Sequence, residues 1–500
     1  MKSKGDIYLA VDLGASNGRV LAGRISGGRL EIQTLHRFSN GPIGVAERLH
    51  WDILGLWREI QNGLRAAEHQ FRGQRFVSVG VDTWGVDFGL LGPGDELLGN
   101  PYCYRDSRTA GVMSRCFEVV PAEEIFAQTG LQFMEFNSLY QLIACQQSES
   151  PLLGVAEHLL LIPDLIHWLM TGEKGVERTN ATTTQFFNPT AGEWATRLLE
   201  DFGLPTHILP PVVAPGTRLG RLRPRVAAAT GLQDIEVVLP GTHDTASAVM
   251  AVPTKDSAGE TDWCFISSGT WSLMGVEIPQ PIINDACRKL NFTNEGGVGG
   301  TTRLLKNIMG MWLIQECRRI WNSTDCDFDW DELTRLAGQA TPLRAFIAPN
   351  DSRFLKPDDM PAAIGTYCRA TSQAVPETPG ALVRCALESL ALEYRRVLQA
   401  LESLVGRSLD TIHIVGGGTQ NRLLCQMAAD ACQRRVVAGP VEATAIGNIM
   451  MQAVATGAVG SIAEAREVIY HSFDVDEYLP APAGPWDEAY GRFEALSGRT

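Results

Sequence analysis

The feature that most constrains the fold is a strand–turn–strand pattern that occurs twice in the chain. The first copy covers residues 7–25 around a turn at 12–18, and the second covers 263–276 around a turn at 267–270. Both turns keep a glycine and hydroxyl side chains, but only the first carries a carboxylate, Asp12. A duplicated α/β fold would show this pattern if both halves faced one triphosphate and one half held the metal. A chance match between two short hairpins is the alternative.

The length of 500 residues is too great for one hydrophobic core, so we expect two or three domains. The polar segment 253–262, PTKDSAGETD, is typical of a hinge. We therefore expect an N-terminal domain over 1–250, a C-terminal domain over 251–460, and a tail over 461–500 that packs on the domains.

Composition excludes several classes of protein. With 45% apolar and 20% charged residues the chain is not disordered. The net charge of −14, without any basic run, argues against nucleic acid or a membrane surface as a partner. The N-terminus has no long apolar region and no stretch reaches about 18 uncharged apolar residues, so we expect neither a signal peptide nor a membrane span, and a cytoplasmic protein.

The cysteines and histidines give no metal signature. The eleven cysteines include no CxxC and the nine histidines no pair four residues apart, which argues against zinc or histidine-based sites. We expect reduced, buried thiols. The sequence leaves open whether Cys368 pairs with Cys385, or Cys425 with Cys432.

The stretch 237–249, VVLPGTHDTASAV, predicts a buried strand, a Pro-Gly break and then a helix that begins near Asp244. An aspartate at such a turn has two interpretations. It can cap the helix by accepting a bond from a free backbone N–H. Alternatively, it is a general base at the open end of a sheet, where α/β proteins bind their ligands. The polar loops elsewhere in the chain favour the second interpretation.

Two loops of the N-terminal half are candidate ligand contacts. In the first hairpin, the glycines of the 14–18 loop let backbone N–H groups approach a phosphate, and Asp12 can hold a hydrated Mg²⁺. The loop also fits G-x-S-x-G, but a strand follows it rather than a helix, so we reject Ser16 as a nucleophile. In the second loop, Asp82, Trp84 and Asp87 suit a polyhydroxylated ligand, although a buried tryptophan with turn-forming aspartates is an equally good interpretation.

The C-terminal half offers a strand, three glycines at 416–418 and a helix over 420–432, a suitable seat for a nucleotide phosphate. No GxxxxGK[ST] occurs, which excludes a P-loop. The segment 294–300, NEGGVGG, predicts a flexible loop, and 304–321 predicts one helix on which Asn307 and Gln315 are polar positions. Either could contact a ligand or simply face solvent.

Together these segments resemble the FGGY carbohydrate kinases over nearly the whole chain. The resemblance is carried by a set of long runs: AVDLGASNGRV (10–20), VGVDTWGVDFGLL (79–91), YRDSRT (104–109), NATTTQ (180–185), THDTASAV (242–249), SSGTWSLMG (267–275), LKNIMGMWL (305–313) and HIVGGGTQN (413–421). It implies an α/β fold of two duplicated actin-like, ribonuclease-H-like domains, with mixed sheets flanked by helices and the active site in the interdomain cleft. The N-terminal domain would bind the sugar and the C-terminal domain most of the ATP.

The resemblance also implies roles for single residues. Asp244 matches the catalytic base, and Asp12 would hold Mg²⁺ through water. The implied substrate contacts are Gly85, His243, Asp244, Thr245 and Asn307. The implied ATP contacts are Ala15, Ser16, Asn17, Gly18, Arg19, Thr270, Gln315 and Gly417. Asn17 stands where a second serine is common in the family, a mild departure.

The implied reaction transfers a phosphoryl group from MgATP to a primary hydroxyl of a ketose, in a monomer or weak homo-oligomer. Alternatives are a kinase of the same fold acting on L-fuculose, xylulose or glycerol, and a non-enzymatic ATP switch of the actin type. The switch would not need a base, and Asp244 argues against it. A hydrolase acting through Ser16 is the weakest alternative.

Overall fold

The structure is a computed structural model that describes residues 5–254, 262–323 and 326–497. The strands, in chain order, are β1 Ile7–Leu13, β2 Asn17–Ser26, β3 Arg29–Ser39, β4 Pro42–Val45, β5 Arg48–Trp51, β6 Phe76–Thr83, β7 Phe88–Gly92, β8 Glu96–Leu97, β9 His158–Leu161, β10 Val176–Glu177, β11 Phe187–Asn188, β12 Glu193–Trp194, β13 Val212–Val213, β14 Arg218–Arg221, β15 Glu236–Val238, β16 Trp263–Ser268, β17 Trp271–Ile278, β18 Thr293–Gly296, β19 Thr302–Met309, β20 Thr411–Val415, β21 Arg435–Ala438 and β22 Asp476–Tyr478.

The helices, in chain order, are α1 Ile53–Gln70, α2 Val112–Val119, α3 Ala122–Thr129, α4 Ser138–Gln147, α5 Pro151–Val155, α6 Ile162–Thr171, α7 Arg178–Ala181, α8 Thr196–Asp201, α9 Pro224–Thr230, α10 Asp244–Met250, α11 Asp285–Lys289, α12 Trp312–Asn322, α13 Trp330–Gln339, α14 Met360–Ala370, α15 Pro379–Val405, α16 Arg422–Cys432, α17 Ala443–Ala455, α18 Ile462–Ser472 and α19 Gly484–Ser497. Of those that can be described, none is both long and apolar enough to cross a bilayer.

Two compact units divide the chain. The first comprises the described residues within Met1–Glu260, Glu277–Leu304 and Glu442–Phe473, and the second those within Thr261–Val276, Leu305–Val441 and Asp474–Thr500. The domain limits expected from the sequence stay a prediction. The expected hinge at 253–262 lies mostly outside the described residues.

The first unit is built on a six-stranded sheet in the order β14-β15-β6-β1-β2-β3. Strand β1 pairs antiparallel with β2 and parallel with β6, which in turn pairs parallel with β15. The strands β1 and β6 are buried along almost their whole length, as expected of a sheet covered on both faces. Helix α1 covers it with a buried stripe that includes Ile53, Leu56, Ile60 and Leu64, and Asp52 caps this helix by accepting a bond from Gly55 N.

The second unit repeats this arrangement. Its strands lie in the order β19-β17-β16-β20-β21-β22. Strand β16 pairs antiparallel with β17 and parallel with β20, β20 pairs parallel with β21, and β22 closes the edge antiparallel to β21. The strands β16, β17, β20, β21 and β22 therefore take the places of β1, β2, β6, β15 and β14. The prediction of a duplicated fold from two hairpins is confirmed.

Most of the predicted elements are confirmed, including the strand and helix around Asp244 and the strand, glycine turn and helix around 416–418. Two predictions are wrong. The stretch 304–321 is not one helix, because β19 runs to Met309 and α12 begins only at Trp312. The expected glycine loop begins as the buried strand β18.

Gly310 separates the strand β19 from the helix α12. A Cβ atom on Gly310 would lie 2.6 Å from Ser272 Oγ and 2.8 Å from Ser272 N. A glycine is therefore needed at position 310, because the backbone passes close to β17. This contact joins distant segments of the chain, and helical periodicity does not reveal it.

Candidate active site

Two aspartates lie side by side where β1 and β6 end. Asp12 and Asp82 are partners in the parallel pairing of these strands. Asp12 is 6% exposed and Asp82 is fully buried. The carboxyl ends of parallel strands are where open α/β sheets bind ligands, so this edge of the first unit is the natural place for a site.

Asp12 is held by a basic partner on the neighbouring strand. Arg19 lies opposite it in the antiparallel pairing with β2, and its Nε and Nη2 donate to Asp12 Oδ2 at 2.9 and 2.7 Å. Arg19 also forms an ion pair with Glu442, which in turn pairs with Arg37 at 3.0 Å. The predicted phosphate loop is thus braced at its end by an alternating chain of charges.

The loop before Arg19 is a short connection between strands. Gly14 N donates to Asn17 O at 2.9 Å, and Asn40 Nδ2 donates to Gly14 O at 2.8 Å. Ser16 and Asn17 are exposed, and Ala15 is partly buried. Strand β2 begins at Asn17, so the predicted strand after Ser16 is confirmed and the helix that G-x-S-x-G requires is not found there. Gly18 is needed for packing, since a Cβ there would lie 2.4 Å from the Phe38 ring.

A buried amide ladder on α17 supports Asp82. Asn448 Nδ2 donates to Asp82 Oδ2 at 2.5 Å, Gln452 Nε2 donates to Asn448 Oδ1 at 2.6 Å, and Ser78 Oγ donates to Gln452 Oε1 at 2.7 Å. The other carboxyl oxygen, Asp82 Oδ1, is buried without a hydrogen-bond partner among the described residues. Burial, together with the nearby charge of Asp12, raises the pKa of Asp82 well above its ordinary value.

Asp244 is the first residue of helix α10. His243 occupies the N-cap position, so the interpretation of Asp244 as a capping residue is wrong. Thr245 Oγ1 donates to Asp244 Oδ1 at 3.1 Å, and His243 Nε2 lies 3.5 Å from the same oxygen. The Asp244 side chain is 32% exposed. Burial in its surroundings and the charge of Asp12 raise its pKa, while His243 and Thr245 oppose the rise.

Glu177 fixes the turn that presents His243 and Asp244. Its Oε2 accepts bonds from Thr242 N at 2.9 Å and from Thr242 Oγ1 at 2.8 Å. Its Oε1 accepts from Thr179 N at 2.8 Å. A fully buried carboxylate that accepts several bonds holds the backbone rigidly.

The threonine run after Glu177 connects three loops through hydrogen bonds. Thr179 Oγ1 accepts from His243 N at 3.1 Å, Thr182 Oγ1 from Gly296 N at 2.8 Å, and Thr183 Oγ1 from Val86 N at 3.0 Å. Gly85 packs directly on Thr183, since a Cβ on it would lie 2.9 Å from the threonine side chain. Gly85 therefore permits this close approach.

The expectation that Asp87 faces a ligand is wrong. Asp87 is 1% exposed. Its Oδ2 accepts from Trp51 Nε1 at 2.6 Å, Trp84 Nε1 at 3.0 Å and Tyr104 N at 3.1 Å, and its Oδ1 accepts from Gln141 Nε2 at 2.8 Å. Of the two carboxylates of this loop, Asp87 is structural and Asp82 lies at the sheet edge.

A buried ion pair that sequence reasoning missed lies behind His243. Arg303, fully buried on β19, lies 3.2 Å from Glu295 Oε2 and donates through Nη2 to His243 Nδ1 at 3.2 Å. Glu295 Oε2 is also 3.1 Å from His243 Nδ1. The available signal was an arginine directly before two leucines, Leu304 and Leu305, which is compatible with a buried, paired arginine. The ion pair was not predicted, because 304–321 was incorrectly predicted as a helix and 294–300 as a loop.

The second unit carries the remaining predicted residues. Thr270 lies in the turn between β16 and β17, where its carbonyl accepts bonds from Gly310 N at 3.2 Å and Trp312 N at 3.1 Å. Gln315 is partly exposed on the first turn of α12, and Asn307 is partly exposed near the end of β19. The prediction that both residues lie on one helix is therefore wrong, although both belong to the same β19–α12 segment.

The three glycines after β20 form a tight turn against β16. A Cβ on Gly416 would lie 3.0 Å from Ser268 O, and one on Gly418 would lie 2.0 Å from Ser268 Oγ. Gly417 differs, because it is exposed and a Cβ there would meet nothing within 4 Å. A nearby cleft of about 360 Å³ is lined by residues that include Thr419, Gln420 and Gly439.

These features agree with the comparisons with known proteins. Residues 7–251 match the N-terminal domain, and residues 264–456 the C-terminal domain, of the FGGY family of carbohydrate kinases. The chain belongs to the FGGY family of carbohydrate kinases. It is a carbohydrate kinase by this membership.

Within the family, the chain is similar to curated rhamnulokinases. It is 44% identical to the rhamnulokinase of Bacteroides thetaiotaomicron, over 97% of this chain and 98% of that protein. It is 40% identical to the rhamnulokinase of Enterococcus faecalis, over 99% and 98%. Among solved structures, xylulose kinase from Lactobacillus acidophilus matches with a TM-score of 0.81 at 15% identity, over 99% of this chain and 98% of that one, which shows the fold.

The cysteines are free thiols, all buried except Cys326. Among the described residues, no group of three or more His, Cys, Asp or Glu side chains could hold a metal ion.

Proposed function

We propose that this protein transfers the γ-phosphoryl group of ATP to the 1-hydroxyl of L-rhamnulose, giving L-rhamnulose 1-phosphate and ADP, as a cytoplasmic step in the breakdown of L-rhamnose. The similarity to rhamnulokinases over nearly the whole chain supports the choice of sugar. The observation that carries the chemistry is the Asp244 carboxylate, which is partly exposed at the start of α10 with Oδ1 anchored by Thr245.

Asp244 is proposed as the general base. As the sugar O1 forms its bond to the γ-phosphorus and the bond to the bridging oxygen of ADP breaks, the hydroxyl proton passes to Asp244. Thr245 Oγ1 bonds to Oδ1, so we assign Oδ2 as the oxygen that accepts the proton. The raised pKa of Asp244 makes it a stronger base than an exposed aspartate.

His243, Thr245 and Gly85 are proposed to contact the sugar, as is Asn307. In the first unit, His243 and Thr245 flank the base, and Gly85 lies beside Thr183. The side chains of His243 and Thr245 can donate to or accept from sugar hydroxyls. The partly exposed Asn307 amide of the second unit offers both a donor and an acceptor.

The ATP phosphates are proposed to meet the exposed loop of Ala15, Ser16, Asn17 and Gly18, with Arg19 behind it, and the nucleotide to contact Thr270, Gln315 and Gly417 in the second unit. The open space around Gly417 supports its role, because a backbone without a side chain permits close approach.

Asp12 fits a hydrated Mg²⁺, which prefers one or two carboxylates together with water and phosphate oxygens. The observation that favours this site is the place of Asp12 at the end of β1, where Arg19 bonds its Oδ2. When bound, Mg²⁺ would balance negative charge on the phosphoryl oxygens. Asp12 would hold it through water, while Arg19 keeps the carboxylate in place.

The test is turnover of MgATP by the purified protein with L-rhamnulose, L-fuculose, D-xylulose, L-ribulose and glycerol. We expect the highest kcat/KM with L-rhamnulose. A clear preference for another acceptor would overturn the substrate but keep the kinase. ADP release that does not depend on any sugar would overturn the proposed function in favour of an ATP switch.

A further inference from the structure

The buried ion pair behind His243 has a consequence for the proton on the imidazole ring. Arg303 can only donate hydrogen bonds, and its Nη2 donates to His243 Nδ1 at 3.2 Å. Nδ1 must therefore be the acceptor nitrogen. In a neutral imidazole the proton is then on Nε2, the atom that lies 3.5 Å from Asp244 Oδ1.

Glu295 would produce the opposite tautomer if it acted alone. Its Oε2 lies 3.1 Å from His243 Nδ1, where a carboxylate favours a proton on that nitrogen. Arg303 lies 3.2 Å from the same oxygen and competes for it. Glu295 also supplies the counter-charge without which a fully buried guanidinium would be strongly unfavourable.

We propose that Arg303, paired with Glu295, is a positioning residue that fixes His243 in its Nε2–H tautomer and thereby orients the Asp244 carboxylate. Nε2–H and Thr245 Oγ1 both face Oδ1, so the carboxylate is held through Oδ1 and Oδ2 is the oxygen that accepts the substrate proton. The effect on catalysis rests on the proposed role of Asp244, whereas the tautomer does not.

The charged groups around His243 come from several elements. They are Asp244 on α10, Glu295 on β18 and Arg303 on β19, with Glu177 bonded to the preceding residue, Thr242. Among these four described residues, Arg303 carries the one positive charge. Its removal therefore leaves His243 facing carboxylates on both ring nitrogens.

The first experiment reads the tautomer by long-range ¹H–¹⁵N NMR on protein labelled with ¹⁵N-histidine, with His243→Gln to assign the signals. In the wild type at neutral pH we expect a protonated Nε2 and an unprotonated Nδ1. A wild-type His243 that carries its proton on Nδ1 would overturn the proposal, and this measurement requires no variant to fold.

The second experiment compares Arg303→Met with Arg303→Lys. In Arg303→Met the His243 proton should move to Nδ1, or both nitrogens should be protonated. We expect kcat to fall on the order of 10-fold to 100-fold with a smaller change in sugar KM, because the base is displaced rather than removed. Arg303→Lys keeps a donor, so it should restore the tautomer and most of kcat. If Arg303→Met is folded with an unchanged tautomer and kcat, the proposal is wrong.

Arg466→Met is the matched control. Arg466 is 3% exposed and forms an ion pair with Glu277 in the same unit. Its loss should lower the thermal unfolding temperature but leave the His243 tautomer unchanged. If kcat and the tautomer change as much as in Arg303→Met, the effect is general destabilisation and the proposal fails. If the wild type does not use L-rhamnulose, the proposed function fails while the NMR result still decides the tautomer.

Discussion

Asp12 and Asp82 lie in register on the parallel strands β1 and β6, yet their carboxylates have different kinds of partner. Asp12 accepts two bonds from the Arg19 guanidinium, and Asp82 accepts one from the neutral amide of Asn448. Two adjacent carboxylates repel each other when both are ionised. Burial and the neighbouring charge of Asp12 raise the pKa of Asp82 well above its ordinary value, which favours a protonated Asp82.

Asp82→Asn should be tolerated better than Asp82→Leu. A protonated carboxyl group and an amide have the same shape, and both present one donor and one acceptor, so Asn can accept from Asn448 as Asp82 does. We expect Asp82→Asn to keep kcat within about fivefold, whereas Asp82→Leu leaves one N–H of the Asn448 amide unpaired and loses about 1–3 kcal/mol of stability. Steady-state kinetics and thermal unfolding measure the two effects. A loss of activity in Asp82→Asn as large as in Asp82→Leu would show that the ionised form is needed, as direct Mg²⁺ binding would require.

Asp244→Asn should remove catalysis while preserving binding. An amide cannot accept the hydroxyl proton, so we expect kcat to fall on the order of 10²-fold or more with a smaller change in sugar affinity. Isothermal titration with the sugar and initial rates with MgATP separate these effects. Asp234→Asn, an exposed position paired with Arg221, is the control and should keep the wild-type rate. A nearly normal kcat in Asp244→Asn would exclude Asp244 as the base.

The proposed role of Asp244 as the base also predicts how kcat/KM changes at acidic pH. Only ionised Asp244 accepts the proton, so activity is lost as the pH falls through its pKa. Because that pKa is raised from 3.8, kcat/KM should begin to fall at a higher pH than an exposed aspartate would cause. Rates between pH 4 and pH 8 with L-rhamnulose measure this limb. A profile that stays flat down to pH 4 would contradict the raised pKa.

The sequence predicted the elements that repeat or alternate, and it failed where distant contacts decide the structure. The two hairpins could be predicted because each strand is a short apolar run beside a glycine turn. Asp244 could be predicted as a site residue because it follows such a strand. Gly310 ends β19 through its approach to Ser272, which no local pattern shows. Arg303 and Glu295 pair across two strands, and Asp87 is surrounded by two indoles from different segments. Such partners are defined by the fold and not by spacing.

Asp87 makes a separate prediction about stability, because burial raises its pKa from 3.8 to about 6. Above pH 3.8 the unfolded chain loses this proton first, so the folded state loses stability as the pH rises to about 6 and then no further. The difference between the two pKa values corresponds to a loss of about 3 kcal/mol in the free energy of unfolding over the whole interval. Asp87→Asn does not titrate and should lack this component.

Thermal unfolding of the wild type and Asp87→Asn at pH 5 and pH 7 tests this prediction. The wild type should lose more stability than Asp87→Asn between the two values. Asp87→Ala should be destabilised at both pH values, by about 3 kcal/mol or more, since it removes the acceptor of four hydrogen bonds. An equal pH response of the wild type and Asp87→Asn would contradict the raised pKa of Asp87.

Two adjacent glycines of the turn after β20 allow packing and nucleotide binding to be tested separately. A Cβ at Gly418 would lie 2.0 Å from Ser268 Oγ and 2.5 Å from Ser268 Cβ, so Gly418→Ala must push the turn away from β16. We expect it to lower the thermal unfolding temperature of the protein. A Cβ at Gly417 has open space on every side. Gly417→Ala should therefore keep the unfolding temperature and, if the nucleotide contacts this backbone, raise the KM for ATP several-fold while the KM for the sugar stays the same. An unchanged KM for ATP in Gly417→Ala would remove this turn from the proposed nucleotide site, and an unchanged unfolding temperature in Gly418→Ala would mean that the turn can shift from Ser268 without cost.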